Sequence, residues 1–303
     1  MCGINYSKVD FKKVKFNFTI TSNNIINSLK KKDLISALEL IKKLRNNYVF
    51  IEIIKKNSSV IDKLNNILDL INKIKDDEYF REFDKINDLK WIIESEIFLK
   101  VKRIQEFSQK NKINLNDRSI IFIRYFLYNI ASMVYLESRG RDSLGISINF
   151  VSKKPFFFKS KINNKNNINI FNKKIAKKNF LNISIKFSKR IGTSGENAVN
   201  ILTLLKKVKI KEIDFKNLDF FEIFSHTRWA SVGDVSNSNA HPLISVKKND
   251  LNLCLMNGDI NNYQEIKKKL IKEKKYYYVD RLCKNDLQPV PSLFQINKNN
   301  INK

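Results

Sequence analysis

Leu136-Glu137-Ser138-Arg139-Gly140-Arg141-Asp142-Ser143-Leu144-Gly145 is the stretch on which the fold turns. Upstream of it, no glycine and no proline occurs between Gly3 and Gly140, and apolar residues recur at three-and-four spacing from about 24 to 138. Leu34, Leu38, Ile41 and Leu44 make one stripe, and Leu64, Ile67, Leu68, Ile71 and Ile74 another. This is the pattern of amphipathic helices packing on a core. Further helices are expected over 79–107 and 119–136. Downstream of Gly140, short runs with strand chemistry appear at 144–151, 183–187, 220–225, 243–246, 251–256 and 276–279. Helices are expected between them at 196–208 and 263–271. The Lys/Asn-rich segment 159–179 reads as an exposed low-complexity loop, and 295–303 as a polar, frayed tail. With a strand at Cys2, the chain starts extended, makes a long helical excursion and returns to strands, the pattern of an inserted helical subdomain.

The 303 residues, 43% of them hydrophobic, are enough for a real core. Fifty-seven Lys+Arg against 30 Asp+Glu leave a net charge of +27. The excess is mostly lysine, spread with Asn and Ile along the whole chain rather than gathered on one face, so specific nucleic-acid binding is not the expected role. Three cysteines (Cys2, Cys254, Cys283) without a C-x-x-C pair, and two histidines (His226, His241), supply neither a zinc site nor a disulfide framework. No cofactor is implied, and a reducing, cytoplasmic compartment is the expectation. The start of the chain has no apolar signal region. The most membrane-like run, 119–136, is barely long enough to span and carries Arg124, so it reads as an internal helix and no membrane partner is expected.

Position 2 carries the first chemical signal. Removal of Met1 would leave Cys2 with a free α-amine beside its thiol. An α-amine titrates near ~8, so one residue would hold both nucleophile and general base. Four more blocks follow in order: 136–145 quoted above; Ser225-His226-Thr227-Arg228-Trp229-Ala230-Ser231-Val232-Gly233; Asn239-Ala240-His241-Pro242; and Asn257-Gly258-Asp259-Ile260-Asn261-Asn262-Tyr263. Together with Met1-Cys2-Gly3-Ile4 they resemble the glutaminase domain of the glucosamine-6-phosphate synthase family, the class II glutamine amidotransferases. The resemblance covers about 1–8 and 136–291.

That resemblance implies an α+β fold, the four-layer αββα sandwich of the N-terminal-nucleophile (Ntn) hydrolases. The sandwich would come from about 1–20 and 136–294, with 21–135 as a helical insertion and 295–303 as a tail. It implies an enzyme that hydrolyses L-glutamine to glutamate and ammonia for amino-sugar biosynthesis. Cys2 would be the nucleophile, and the Asn257 side chain with the Gly258 N–H the oxyanion donors; the bland reading of Asn-Gly is a hairpin turn. Arg228 would hold the glutamine α-carboxylate as a planar, always-charged fork. Trp229 and Ser231 would line the pocket, and Asp286 would take the α-ammonium, with Asp280 as runner-up. Arg139, Asp142 and Ser143 would shape the site beside the nucleophile, and His226 and His241 would serve as hydrogen-bonding residues rather than bases.

The sequence also departs from the family. The Arg-Gly-x-Asp-Ser segment normally follows the N-terminal cysteine closely, whereas here the helical block intervenes. Arg141 stands where tyrosine is usual, and Ser231-Val232 replaces the common Thr-His. No phosphosugar-binding (SIS) domain follows, so the synthase partner is expected on a missing C-terminal part or on another chain; self-association into a homodimer is left open. Two rival readings stand beside the enzyme. One is a catalytically degenerate amidotransferase domain acting as a binding or regulatory module, and the other a nucleic-acid binder driven by charge.

Overall fold

The computed structural model describes residues 3–11, 16–74, 83–161, 167–175, 177–189, 193–247, 250–277 and 282–297. The chain divides into two compact units, one of residues 1–11 with 125–303 and the other of 12–124. Strand β1 (Gly3–Asp10) opens the first unit.

The second unit is helical: α1 (Phe18–Lys30), α2 (Leu34–Lys43), α3 (Asn47–Ile54), α4 (Ser58–Asn72), α5 (Phe83–Trp91), a π-helical stretch (Ile92–Phe98), α6 (Leu99–Asn111) and the start of α7 (Asp117–Leu136). The side chains of Asn17, Asp33 and Asn46 cap α1, α2 and α3 by accepting the N–H of Ile20, Ser36 and Val49. Leu34, Ile41 and Leu44 are buried as the spacing predicts, with Ala37 completing the stripe and Leu38 half-buried; Leu64, Ile67 and Ile71 are buried in α4. Glycine is scarce, so lysines take the left-handed turns that close helices: Lys32, Lys56 and Lys112 have φ of 60°, 58° and 53°. Glu96 gathers Arg45 at 2.7 Å and Lys100 at 2.6 Å, which holds its carboxyl below the usual range even though its burial acts the other way.

By length and composition, α7 is among the described residues the helix able to cross a membrane. Ile120, Phe122, Ile123, Phe126, Ile130 and Met133 are nevertheless buried within the protein. Its second half belongs to the first unit because Asn129 bonds to two strands there, donating to Ser7 Oγ at 2.9 Å and accepting from Ser225 Oγ at 3.1 Å.

The rest of the first unit comprises β2 (Ser143–Ser152), β3 (Ile168–Ile175), β4 (Lys178–Ser188), α8 (Glu196–Leu205), β5 (Leu218–Arg228), β6 (Leu243–Lys247), β7 (Asp250–Cys254), α9 (Tyr263–Lys272) and α10 (Val290–Asn297). Five strands form one antiparallel sheet in the order β1-β5-β2-β4-β3, and β6 and β7 form a second. Alternation sorts the larger sheet's faces. Leu144, Ile146, Ile148, Phe150, Leu181, Ile183, Ile185, Phe221 and Ile223 are buried on one face, against which α8 and the end of α7 lie. The other face carries Gly145, Ser147, Asn149, Asn182, Ser184, Lys186 and His226. Ser147 and Asn182 anchor a buried network there, with Ser147 Oγ to Ser184 Oγ at 2.7 Å and Asn182 Nδ2 to Asn149 Oδ1 at 2.7 Å. Both ends of the β6–β7 hairpin meet this face, through the His241 carbonyl over Gly145 and the Met256 carbonyl on His226. α10 packs on β6 and β7, where Leu243, Cys254, Cys283 and Leu287 form a core with Val290. The order is therefore α, β, β, α, as an αββα sandwich requires.

Glu137, at the end of α7, is fully buried and caps α8, accepting the N–H of Gly195 at 2.7 Å and of Ala198 at 2.9 Å. Burial pushes its carboxyl up, while the amides and the positive end of α8 pull the other way. Glu137→Ala strands two buried donors and is expected to cost about 2–4 kcal/mol, read as a lower urea midpoint. Glu137→Gln, which keeps one acceptor oxygen, is expected to lose less.

Three expectations need correction. Segment 159–179 is not simply a loop: β3 runs through it as an edge strand paired with β4. In β3 Asn172 donates to the Phe156 and Phe158 carbonyls of a neighbouring loop and Lys174 is exposed, as polar side chains on an edge strand are, so composition masks the alternation. The strand expected at 276–279 is not formed at Tyr276 and Tyr277; the Tyr277 N–H donates to Ser292 Oγ at 2.9 Å, and 278–281 lie outside the described residues. The expected tail starts within α10, which ends at Asn297.

Candidate functional site

Cys2 lies outside the described residues. Gly3, which follows it, is buried at the start of β1 in register with Thr227, and its N–H donates to Thr227 Oγ1 at 3.0 Å. A Cβ on Gly3 would stand 2.6 Å from Leu136, so glycine is required for β1 to pass the end of α7. The first described residue of the chain therefore sits one step from Arg228 on β5.

Arg228 ends β5 with 3% exposure, and its guanidinium donates to the carbonyls of Val232 and, at 3.4 Å, Asp234. These contacts fix the plane of the fork and fold the 229–234 loop around it. Asp142 pins the same loop from below: its carboxylate accepts the Ala230 N–H at 2.7 Å, and its own N–H donates to the Arg228 carbonyl at 3.1 Å. Gly140 allows this approach, since a Cβ there would lie 2.9 Å from the Arg228 carbonyl carbon. Ser143, paired with Arg228 across β2 and β5, is fully buried with no partner for its Oγ among the described residues. Arg139 is exposed, and the structure does not gather it with the others.

Trp229 is 57% exposed, and Ser231 Oγ donates to Asp259 Oδ1 at 2.7 Å, tying the tryptophan loop to the Asn257-Gly258-Asp259 corner. That corner follows β7 and leads into α9, with no strand after it among the described residues, so the hairpin-turn reading of Asn257-Gly258 is set aside. Asn257 and Gly258 are both exposed, and nothing stands within 4 Å of where a Gly258 Cβ would be. Asp286 is brought to the same corner: it is 4% exposed and accepts the Ile260 N–H at 2.7 Å. Asp280 lies outside the described residues.

His226 faces the second sheet, with Nε2 at 2.9 Å from the Met256 carbonyl. His241 Nδ1 lies 3.3 Å from the same nitrogen, and the ring centroids are 4.3 Å apart. Burial, with the Arg228 charge, holds His226 down to about 4 despite its bond to Met256. His241 is held well below its ordinary value by burial first, then by His226 and the charges of Lys186 and Arg228. Both rings are neutral at pH 7.

Sequence reasoning missed three organisers. Asn239 accepts the Lys284 N–H at 2.7 Å and donates to the Asp234 carbonyl at 2.8 Å, joining the arginine loop to the segment that carries Asp286. Asp259 is the second, and the Glu137 cap the third. Asn239 stood inside a recognised block, the one signal available for it. Among the described residues no group of three or more His, Cys, Asp or Glu is arranged to hold a metal ion.

The layering and this corner are consistent with an amidotransferase-type domain. Comparison with known proteins agrees over part of the chain. It is 37% identical over 83 residues to glutamine–fructose-6-phosphate aminotransferase [isomerizing] 1 of Rattus norvegicus, over 24% of this chain and 12% of that protein. It is 33% identical over 97 residues to glutamine–fructose-6-phosphate aminotransferase [isomerizing] of Campylobacter jejuni subsp. jejuni serotype O:2, over 32% of this chain and 15% of that protein. The matched stretch thus spans only a small part of either relative. No family model matches.

Proposed function

We propose that this chain is a glutamine amidotransferase domain that hydrolyses L-glutamine to glutamate and ammonia, with Cys2 as an N-terminal nucleophile. The observation that carries the reading is the convergence of Arg228, the tryptophan loop, the Asn257-Gly258 corner and Asp286 at the end of β5 where Gly3 begins β1. Partial homology to two aminotransferases that act with glutamine supports it.

In this reading Arg228 takes the glutamine α-carboxylate and Asp286 the α-ammonium, so the side-chain amide is presented to Cys2. The α-amine of Cys2 accepts the thiol proton and the sulfur attacks the amide carbon. The Asn257 side chain and the Gly258 N–H stabilise the oxyanion. The C–N bond breaks as the amine returns the proton to the leaving nitrogen, releasing ammonia and leaving a γ-glutamyl thioester. Water, deprotonated by the same amine, then cleaves the thioester to glutamate and restores the thiol. The ammonia would serve a synthase of the glucosamine-6-phosphate type, on a SIS domain or a separate chain, in the cytoplasm.

The test is a glutamate-release assay on the wild type and Cys2→Ala, with intact-mass analysis of the N-terminus. Loss of Met1 and a fall of roughly 10³-fold or more in Cys2→Ala are expected. Retained Met1, or no labelling by the glutamine analogue 6-diazo-5-oxo-norleucine, would favour the degenerate binding module instead.

A further inference from the structure

The Asn257-Gly258 corner hangs between elements, since β7 ends at Cys254 and α9 begins at Tyr263. Donors there act on an oxyanion only if their peptide planes are held, because the useful distance is about 2.7–3.1 Å from where the charge develops. On the far side of the corner, the Ser231–Asp259 and Asp286–Ile260 bonds hold it. On the near side, the Met256 carbonyl belongs to the same peptide unit as the Asn257 N–H, and its partner is the ring of His226.

We infer that His226 is a positioning residue for this corner, fixing the Met256–Asn257 peptide and with it the aim of the Asn257 side chain and the Gly258 N–H. The inference rests on the amidotransferase reading above. A carbonyl oxygen only accepts, so the bond at 2.9 Å places the ring proton on Nε2. The ring is fully buried, and His241 lies against it with its Nδ1 3.3 Å from the same nitrogen. His241 is held in turn, since its carbonyl oxygen lies 1.8 Å from where a Cβ on Gly145 of β2 would be. A rigid sheet thus reaches the corner through one ring. Arg228 stands two residues along on the same face of β5, so a single strand sets both the carboxylate fork and the oxyanion corner.

The test uses the full chain with His226→Leu, which lacks a donor, and His226→Gln, whose amide Nε2 reaches the same carbonyl. His226→Leu is expected to lower kcat about 10-fold or more with KM within about twofold, and His226→Gln to keep kcat within about threefold of wild type. Hydrogen–deuterium exchange without substrate is expected to quicken at 255–260 in His226→Leu alone, with sheet peptides unchanged. Unchanged exchange there, or equal loss of kcat in both variants, would overturn the inference. If the wild type releases no glutamate, the amidotransferase reading fails by itself, and the exchange result still decides the positioning. If His226→Leu does not fold, His226→Asn replaces it under the same expectations, because its amide stands near the wrong ring nitrogen.

Discussion

Gly145→Ala is expected to destabilise the protein by about 3 kcal/mol or more, near or beyond the upper end for overpacked cores. The added Cβ would lie 1.8 Å from the His241 carbonyl oxygen and 2.8 Å from its carbon. Both are backbone atoms and cannot rotate away, so either β2 or the segment entering β6 must move. Moving β2 breaks ladders with both β4 and β5, and moving the entry to β6 pulls His241 from His226. Thermal unfolding followed by circular dichroism should show a fall of roughly 6–12 °C, taking about 2–4 °C per kcal/mol for a unit of this size. An unchanged midpoint would mean that the second sheet does not approach β2 this closely.

The second large effect is a loss of stability in mild acid through the histidine pair. In the folded chain His226 titrates at about 4, chiefly because it is buried, against 6.5 for an ordinary histidine. Arg228 adds to this depression, the Met256 carbonyl opposes it, and His241 shifts the same way with Lys186 and Arg228 facing it. Between about 6.5 and about 4 the unfolded chain binds more protons than the folded one, so stability rises with pH across that window. It is fully present above about 6.5 and is lost as pH falls toward about 4. For His226 alone the loss is about 2 kcal/mol by pH 5 and about 3 kcal/mol below pH 4. Carboxylates also titrate in acid, so the measurement is a difference: urea midpoints at pH 7 and pH 5 for the wild type and for His226→Gln. The variant should lose less on acidification, and equal losses would show that the ring is not held neutral.

Much of the candidate site was legible because its blocks are local. Arg228, Trp229 and Ser231 lie within four consecutive positions, and Asn257 and Gly258 are neighbours, so residue type and order suffice to single them out. Asp286 was the looser candidate, and its place at the corner became visible only through its bond to the Ile260 N–H, 26 residues away in the chain. Arg139 shows the limit of such reading: it stands in a recognised block, yet its side chain points to solvent.

By itself the sequence determined the α+β class, the helical stretch and its apolar stripes, most strands of the larger sheet and the order of the chemical blocks. These are properties of periodicity and neighbouring residue types, which act over one or two turns of chain. Only the tertiary structure decided that β3 joins the sheet edge, that Glu137 caps α8 about 60 residues later, and that His226 meets His241 and the Met256 carbonyl. Such choices depend on which distant groups are left unsatisfied once the apolar faces close, because a buried donor or acceptor must find a partner wherever the fold brings one.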